Sequence, residues 1–225
     1  LCDMADKLEA AEDLPMALHD MIKDTIAAHK RIIFNGNGYS DEWVAEAERR
    51  GLPNIKCMVD AVPALVKPEA VEIFEKHGVY TKAEMESRAE VMYETYSKTI
   101  NIEALTMIDM AKKQIVPATI KYQTSLAESV NAIKAASSAV DTSVQEALMA
   151  DISTNLKDMY AALAHLEEVA GKAEAMEEGA EQGHYYHDVV FAAMDELRKP
   201  ADKLEMLVAK SAWPFPSYGD LIFEV

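Results

Sequence analysis

The sequence predicts an all-α fold: an up-down bundle of long antiparallel helices, with a smaller helical annex and an extended aromatic C-terminal tail. Three observations point there. Among 225 residues there are only 8 Gly and 8 Pro, too few for the frequent turns of an all-β chain. Half of the residues are hydrophobic, enough to bury a substantial core and to argue against disorder. The apolar residues recur at three- and four-residue spacing over long stretches, which is the period of an amphipathic helix.

In chain order, residues 3–12 read as a helix. Pro15 suits the first turn of a second one reaching Lys30, because the N–H that proline lacks has no intrahelical partner there. Leu14, Leu18, Met21, Ile22 and Ile26 form one apolar stripe on it. The strand-like RIIF (31–34) breaks the pattern. Ser40 is placed to cap the next helix, with Asp41 and Glu42 favourable at its positive end. Gly51 closes that helix, and Pro53 follows. Residues 54–66 read either as a short helix or as an extended linker around Pro63. A short helix is expected from Pro68 to His77, ended by Gly78.

Thr81-Lys-Ala-Glu84 is a capping box, in which the Thr hydroxyl accepts from a free N–H while the Glu reaches back. The helical period then continues for about fifty residues, with Pro117 expected to kink or divide the helix. SSAVDTS (137–143) is the next break, and Ser143-Val-Gln-Glu146 reads as a second capping box. In the helix that follows, Leu148, Ile152, Leu156, Met159, Leu163, Leu166, Ala170 and Ala173 make a seam of coiled-coil type. EEGAEQG (177–183) reads as a turn. His187 to about Ser211 reads as helix, with a kink or restart at Lys199-Pro200. The closing AWPFPSYGDLIFEV (212–225), with alternating Pro and aromatic residues, is expected to be an extended strap. Residues 1–66 form the annex and 67–225 the bundle with its tail, or the two make one unit.

With 39 acidic against 22 basic side chains, the formal charge is −17. Such a surface repels phosphate backbones and anionic lipid, so neither nucleic acid nor a membrane is an expected partner. No apolar run approaches the roughly 20 residues needed to span a bilayer. Cys2 and Cys57 cannot make a disulfide framework or a four-thiolate zinc site, and a reduced, cytoplasmic setting is expected. The opening LCDMADKLEA has neither a basic segment nor an apolar signal core. It lacks an initiator Met and begins inside a helical pattern, so the chain is expected to be a piece of something longer.

Candidate chemistry is sparse. RIIFNGNGYSDEW (31–43) places Gly36 and Gly38 between a strand-like segment and a helix start, as a phosphate cradle would. However, Asp41 stands where a third glycine would be, there is no Lys-Ser/Thr pair, and Asp41 and Glu42 put negative charge at the anion position. A turn is expected, since Asn-Gly tolerates positive φ. Glu181-Gln-Gly-His184, with His187 and Asp188 behind it, has the E-x-x-H spacing of di-iron bundles. Such a centre needs two of these motifs and two further glutamates, and no second motif occurs. Exposed histidines at a polar helix start are the expectation, with Gly183 placing Glu181 in the turn. Cys57 has only Lys56 nearby to lower its pKa and reads as a structural thiol. The 13 Met residues fall mostly in apolar stripes and read as core. In the tail, Trp213, Phe215, Tyr218 and Phe223 are expected to dock on this chain or on a neighbouring subunit, with docking back on the chain favoured. No catalytic, cofactor-binding or metal-binding residue is assigned.

Three stretches carry a family resemblance: HKRIIFNGNGYSDEWVAEAERRGLPN (29–54), YSKTINIEALTMIDMAKKQIVPA (96–118) and LRKPADKLEMLVAKSAWPFPSYGDLIF (197–223). They resemble the C-terminal part of type III glutamine synthetases, and across about 124–180 only the helical pattern agrees. LPMALHDMI (14–22) is similar to the helix that follows the active-site motifs in glutamine synthetases generally. The resemblance implies a parent enzyme that ligates ammonia to glutamate with ATP and a divalent metal (Mg or Mn), assembled as a dodecamer. The family's catalytic motifs lie upstream of this region and none is matched here. The expected role is therefore non-catalytic: packing on the catalytic domain and neighbouring subunits, assisting assembly, or shaping access to the site. The alternative is a free-standing acidic helical protein-interaction module. A metal-dependent bundle enzyme is a third reading and rests on 181–188 alone.

Overall fold

The computed structural model describes residues 1–223, the Tyr218 side chain excepted. Every regular element among the described residues is helical. The chain forms two compact units, Leu1–Lys56 and Cys57–Val225.

In the first unit, α1 (Cys2–Glu9) precedes α2 (Leu14–His29). Asp13 caps α2 by accepting from the Met16 N–H at 3.2 Å, and Pro15 lies in its first turn. Neither helix has a buried residue. The strand-like RIIF is not extended throughout, because Lys30–Ile32 is a 3-10 turn. Ser40 caps α3 (Asp41–Arg49), accepting from the Trp43 N–H at 3.3 Å. Gly51 follows at φ 69°, the left-handed conformation that glycine adopts without a Cβ penalty.

The second unit begins with α4 (Met58–Ala61) and a 3-10 turn over Val62–Val66, so the helical alternative for 54–66 is the one realised from Met58 onward. Val59 and Val62 are fully buried against Ala89 and Tyr93. After α5 (Pro68–Lys76), Gly78 at φ 64° stops the helix. The Thr81–Glu84 capping box forms in both directions, with Thr81 N–H donating to Glu84 at 2.8 Å and Glu84 N–H to Thr81 at 3.3 Å.

From there α6 (Lys82–Met110), a π turn (Ala111–Ile115) and α7 (Val116–Ala136) follow without a break. Pro117 neither stops nor divides the run. Proline removes one backbone donor and crowds the preceding turn, and the wider π turn just ahead of it accommodates that loss. α8 (Ser143–Glu174) returns after a short connection, but the expected second capping box is absent. Asp141 accepts instead from the Ser143 N–H at 2.9 Å, and the Thr142 hydroxyl donates to Glu146 at 2.8 Å.

The turn after α8 ends at Gly179, earlier than expected. Helix therefore begins with α9 (Ala180–Tyr185) and passes through a second π turn (Tyr186–Val190) into α10 (Phe191–Leu207). Pro200 sits inside α10 without interrupting it. α8 packs against α6, α7 and α10. Its predicted seam is the spine of the core, with Ile152, Met159, Leu166 and Ala173 fully buried. Facing them are Ile100, Ala104 and Ile115 from the first rod, and Val190, Leu197 and Leu204 from the last.

The tail is not a strap to its end. Trp213 and Phe215 meet edge to face with centroids 6.3 Å apart and pack on the main core. Tyr218–Phe223 then form a short helix, α11. Ser217 and Asp220 exchange hydrogen bonds in capping-box fashion, at 2.8 Å to the Asp220 carboxylate and 3.3 Å back to the Ser217 hydroxyl. Phe223 is largely exposed rather than docked, and the Tyr218 side chain lies outside the described residues.

Candidate functional site

The loop at 31–43 is built around aromatic packing. Phe34 stacks on Trp43 with centroids 3.9 Å apart, and the Arg50 guanidinium lies over both rings at 5.8 and 5.7 Å. Arg50 also donates to the carbonyls of Arg31 (2.9 Å) and Ile33 (2.7 Å), tying the end of α3 to the segment after α2. A Cβ on Gly36 would come within 2.6 Å of the Phe34 ring, so a larger residue there would push that ring off its stack on Trp43. Neither Gly36 nor Gly38 has positive φ, which corrects the reason expected for the Asn-Gly pairs. Asn37 makes the turn by accepting from the Tyr39 N–H at 3.0 Å.

This loop does not fit a phosphate group. The α3 N-terminus already holds Glu42, whose carboxyl is kept below its ordinary range by its own backbone N–H and by the Ser40 hydroxyl. Glu46, gripped by Arg49 and Arg50 at 2.5 Å each, is lowered to about 2, the hydrogen bond from Arg49 being the largest cause. Carboxylates thus put negative charge at the α3 N-terminus and on Arg49 and Arg50, which disfavours an anion there.

Of the residues at 181–188, His184 faces Asp60, which is also the partner of Cys57. Glu181 lies on α9 and is exposed, so Gly183 does not hold it in a turn. Gly183 is instead a contact point: a Cβ there would lie 3.1 Å from Tyr93 and 3.3 Å from Val59. Gln182, buried, donates to the Ala173 carbonyl at 3.0 Å and joins α9 to the end of α8. His184 approaches Asp60 at 3.8 Å, and His187 pairs with its neighbour Asp188 at 2.7 Å. The Cys57 thiol donates to Asp60 at 3.0 Å. That hydrogen bond, with burial second, raises its pKa and keeps it from being a ready nucleophile. Among the described residues no group of three or more His, Cys, Asp and Glu side chains is arranged to hold a metal ion.

A feature not visible in the sequence is a cavity of about 400 Å³ beneath the tail. Met107 and Met110 at the end of α6, Ala111 and Ile115 of the first π turn, Leu197 of α10, and Trp213 and Phe215 line it. Its only sequence signal was the aromatic run at 213–215.

These features define a helical domain held together by long-helix packing, with its titratable clusters used in structural contacts. Comparison with known proteins agrees. The model of the glutamine synthetase C-terminal domain matches residues 17–134. Over 216 residues, 96% of the chain, it is 38% identical to a glutamine synthetase of Butyrivibrio fibrisolvens, covering 31% of that protein. A type-3 glutamine synthetase of Dictyostelium discoideum is 29% identical over 92% of the chain and 29% of its own length. A glutamine synthetase of Bacteroides fragilis (strain YCH46) gives the same identity and coverage. The chain belongs to the glutamine synthetase C-terminal domain family. It spans less than a third of the length of these relatives. No helix among the described residues is long and apolar enough to cross a membrane.

Proposed function

We propose that this chain is the non-catalytic helical region of a cytoplasmic type III ligase that joins ammonia to glutamate with ATP and a divalent metal. Its annex packs on the catalytic part, and its bundle contributes to contacts between subunits of an oligomer, a dodecamer on the family resemblance. The observation that carries this reading is the match of nearly the whole chain to under a third of each relative. The exposed apolar stripe of α2 supports it, because a helix with no buried residue has a face available to pack on another part of the enzyme.

ATP and metal belong to the rest of that enzyme. The α3 N-terminus is occupied by carboxylates, and the Cys57, Asp60, His184 and His187 side chains do not converge as ligands. No catalytic step is assigned to residues of this chain. Incubating the chain with glutamate, ammonia, ATP and Mg²⁺ or Mn²⁺ is expected to give no glutamine above background. Turnover by the chain would overturn the non-catalytic assignment.

A further inference from the structure

We infer that the cavity beneath the tail is a binding site for an amphipathic organic cation, an aryl or alkyl body ending in one ammonium group. Its volume of about 400 Å³ lies within the range of small-molecule sites, roughly 300–1,000 Å³. Two features keep it open. Ala111 and Ala201 present short side chains where longer ones would fill the space. The π turn at Ala111–Ile115 also widens the helix along one wall, a device that often accompanies binding sites.

The rest of the wall is apolar and polarizable: Met107, Met110, Leu197, Trp213 and Phe215. Such a lining accepts a ring or an alkyl chain, and aromatic faces attract a cation. The charged groups stand in one row on α10. Asp202 accepts both hydrogen bonds from Arg198 Nε, at 3.2 and 3.3 Å, so that pair carries no net charge. Glu205 lies on the next turn, lines the same cavity and has no ion-pair partner among the described residues. One uncompensated carboxylate beside an apolar chamber, in a chain of charge −17, selects a cation over a neutral molecule or an anion. This inference stands apart from the ligase reading, since it uses only the cavity and its lining.

The test titrates 4-phenylbutylammonium, its neutral analogue 4-phenylbutanol and its anionic analogue 4-phenylbutyrate into the full 225-residue chain. The indole N–H resonances are followed by NMR. The Trp213 signal is expected to shift and saturate while that of Trp43 stays put. The ammonium is expected to bind roughly fivefold more tightly than the alcohol, the difference of one partly exposed charge pair, with the carboxylate weakest. Glu205→Gln, at an exposed position, should reduce the ammonium to the level of the alcohol and leave the alcohol unchanged. Ala201→Phe should abolish binding of both. No saturable shift at Trp213 up to millimolar ligand, equal affinity for the three compounds, or a charge preference that survives Glu205→Gln would each overturn the assignment.

Discussion

Replacing Gly183 by Ala separates helix propensity from close packing, and the structure predicts which one prevails. Gly183 is helical and buried in α9. Taken alone, Ala in its place would gain about 0.8–1.0 kcal/mol of helix stability. The new Cβ, however, would stand 3.1 Å from Tyr93 Cδ1 and 3.3 Å from Val59 Cγ1, with the Ser97 hydroxyl at 3.9 Å. Neither near neighbour can yield easily. Val59 is fully buried, and the Tyr93 ring is held by its own hydroxyl donating to the Val59 carbonyl at 3.4 Å. Overpacking of this kind costs about 1–3 kcal/mol, so Gly183→Ala is expected to destabilise by up to about 2 kcal/mol.

Gly171 provides the internal reference. It is exposed in the last turn of α8, with nothing within 4 Å of a built Cβ. Gly171→Ala should therefore stabilise, by about 0.5–1 kcal/mol. The two variants should move the urea midpoint in opposite directions, and the thermal midpoint by about 2–4 °C per kcal/mol. Val59→Ala should cost less in the Gly183→Ala background than in the parent chain, with a coupling of at least about 0.5 kcal/mol. If Gly183→Ala is as stabilising as Gly171→Ala, the close approach between α9 and α6 is wrong.

Further outcomes follow from the same structure. The Glu46 carboxyl has a folded-state pKa of about 2 against an ordinary 4.5, so its stabilising contribution is present above 4.5 and is lost as pH falls towards 2. Glu46→Gln should flatten the acid dependence of unfolding, followed by Trp43 fluorescence, across that window and should lower stability at neutral pH, where the ionised carboxylate contributes in full. Leu166→Ala, at a fully buried position of the α8 spine, should cost about 2–5 kcal/mol in urea unfolding. Thr81→Ala should cost about 1 kcal/mol through loss of the α6 cap. At the start of α8, Asp141→Ala should cost more than Ser143→Ala, because Asp141 is the acceptor for the first free N–H.

What the sequence revealed was local, and what it concealed depended on distant contacts. The Thr81 box, the Ser40 cap and the glycine stops at 51 and 78 each involve groups within a few residues, so their chemistry can be read off the chain. The α8 seam was legible because one helix writes its own buried face into its period. Gly183 read as turn punctuation, yet it is helical, because what requires glycine there is the Tyr93 ring contributed by α6. Gly36 misled in a similar way: its turn was visible, but its reason was the ring of Phe34 folded back over it. At α8 the expected box failed by a shift of one residue: Thr142 is the N-cap, the Glu146 N–H bonds the Thr142 carbonyl, and the Ser143 N–H and hydroxyl both donate to Asp141. Ser217-Tyr-Gly-Asp220 carried a cap signal for α11 that the neighbouring prolines and aromatics obscured. The cavity draws its walls from three separated segments, and no local pattern encodes that.

Hydrophobic period states that a face will be buried but not what will bury it, and the contrast between α8 and α2 turns that into a prediction. Both helices carry an apolar stripe, but Ile152, Met159 and Leu166 of α8 are fully covered, whereas Leu14, Leu18, Ile22 and Ile26 of α2 remain 42–53% exposed. Full burial of such a side chain stabilises by about 1.5–3 kcal/mol, so roughly half of that is unrealised at each of the four. Little then holds α2 against local opening, and its amides should exchange with solvent much faster than those of α8. The double variant Leu18→Glu, Ile22→Glu should change the stability of this chain by no more than about 0.5 kcal/mol, as for other surface positions. In the whole ligase of the proposed function, the same two charges should weaken the hold of this region on the catalytic part, because they would desolvate on docking. A loss above about 1 kcal/mol in this chain alone would mean that the stripe is already covered within it, and α2 would lose its role as a docking face.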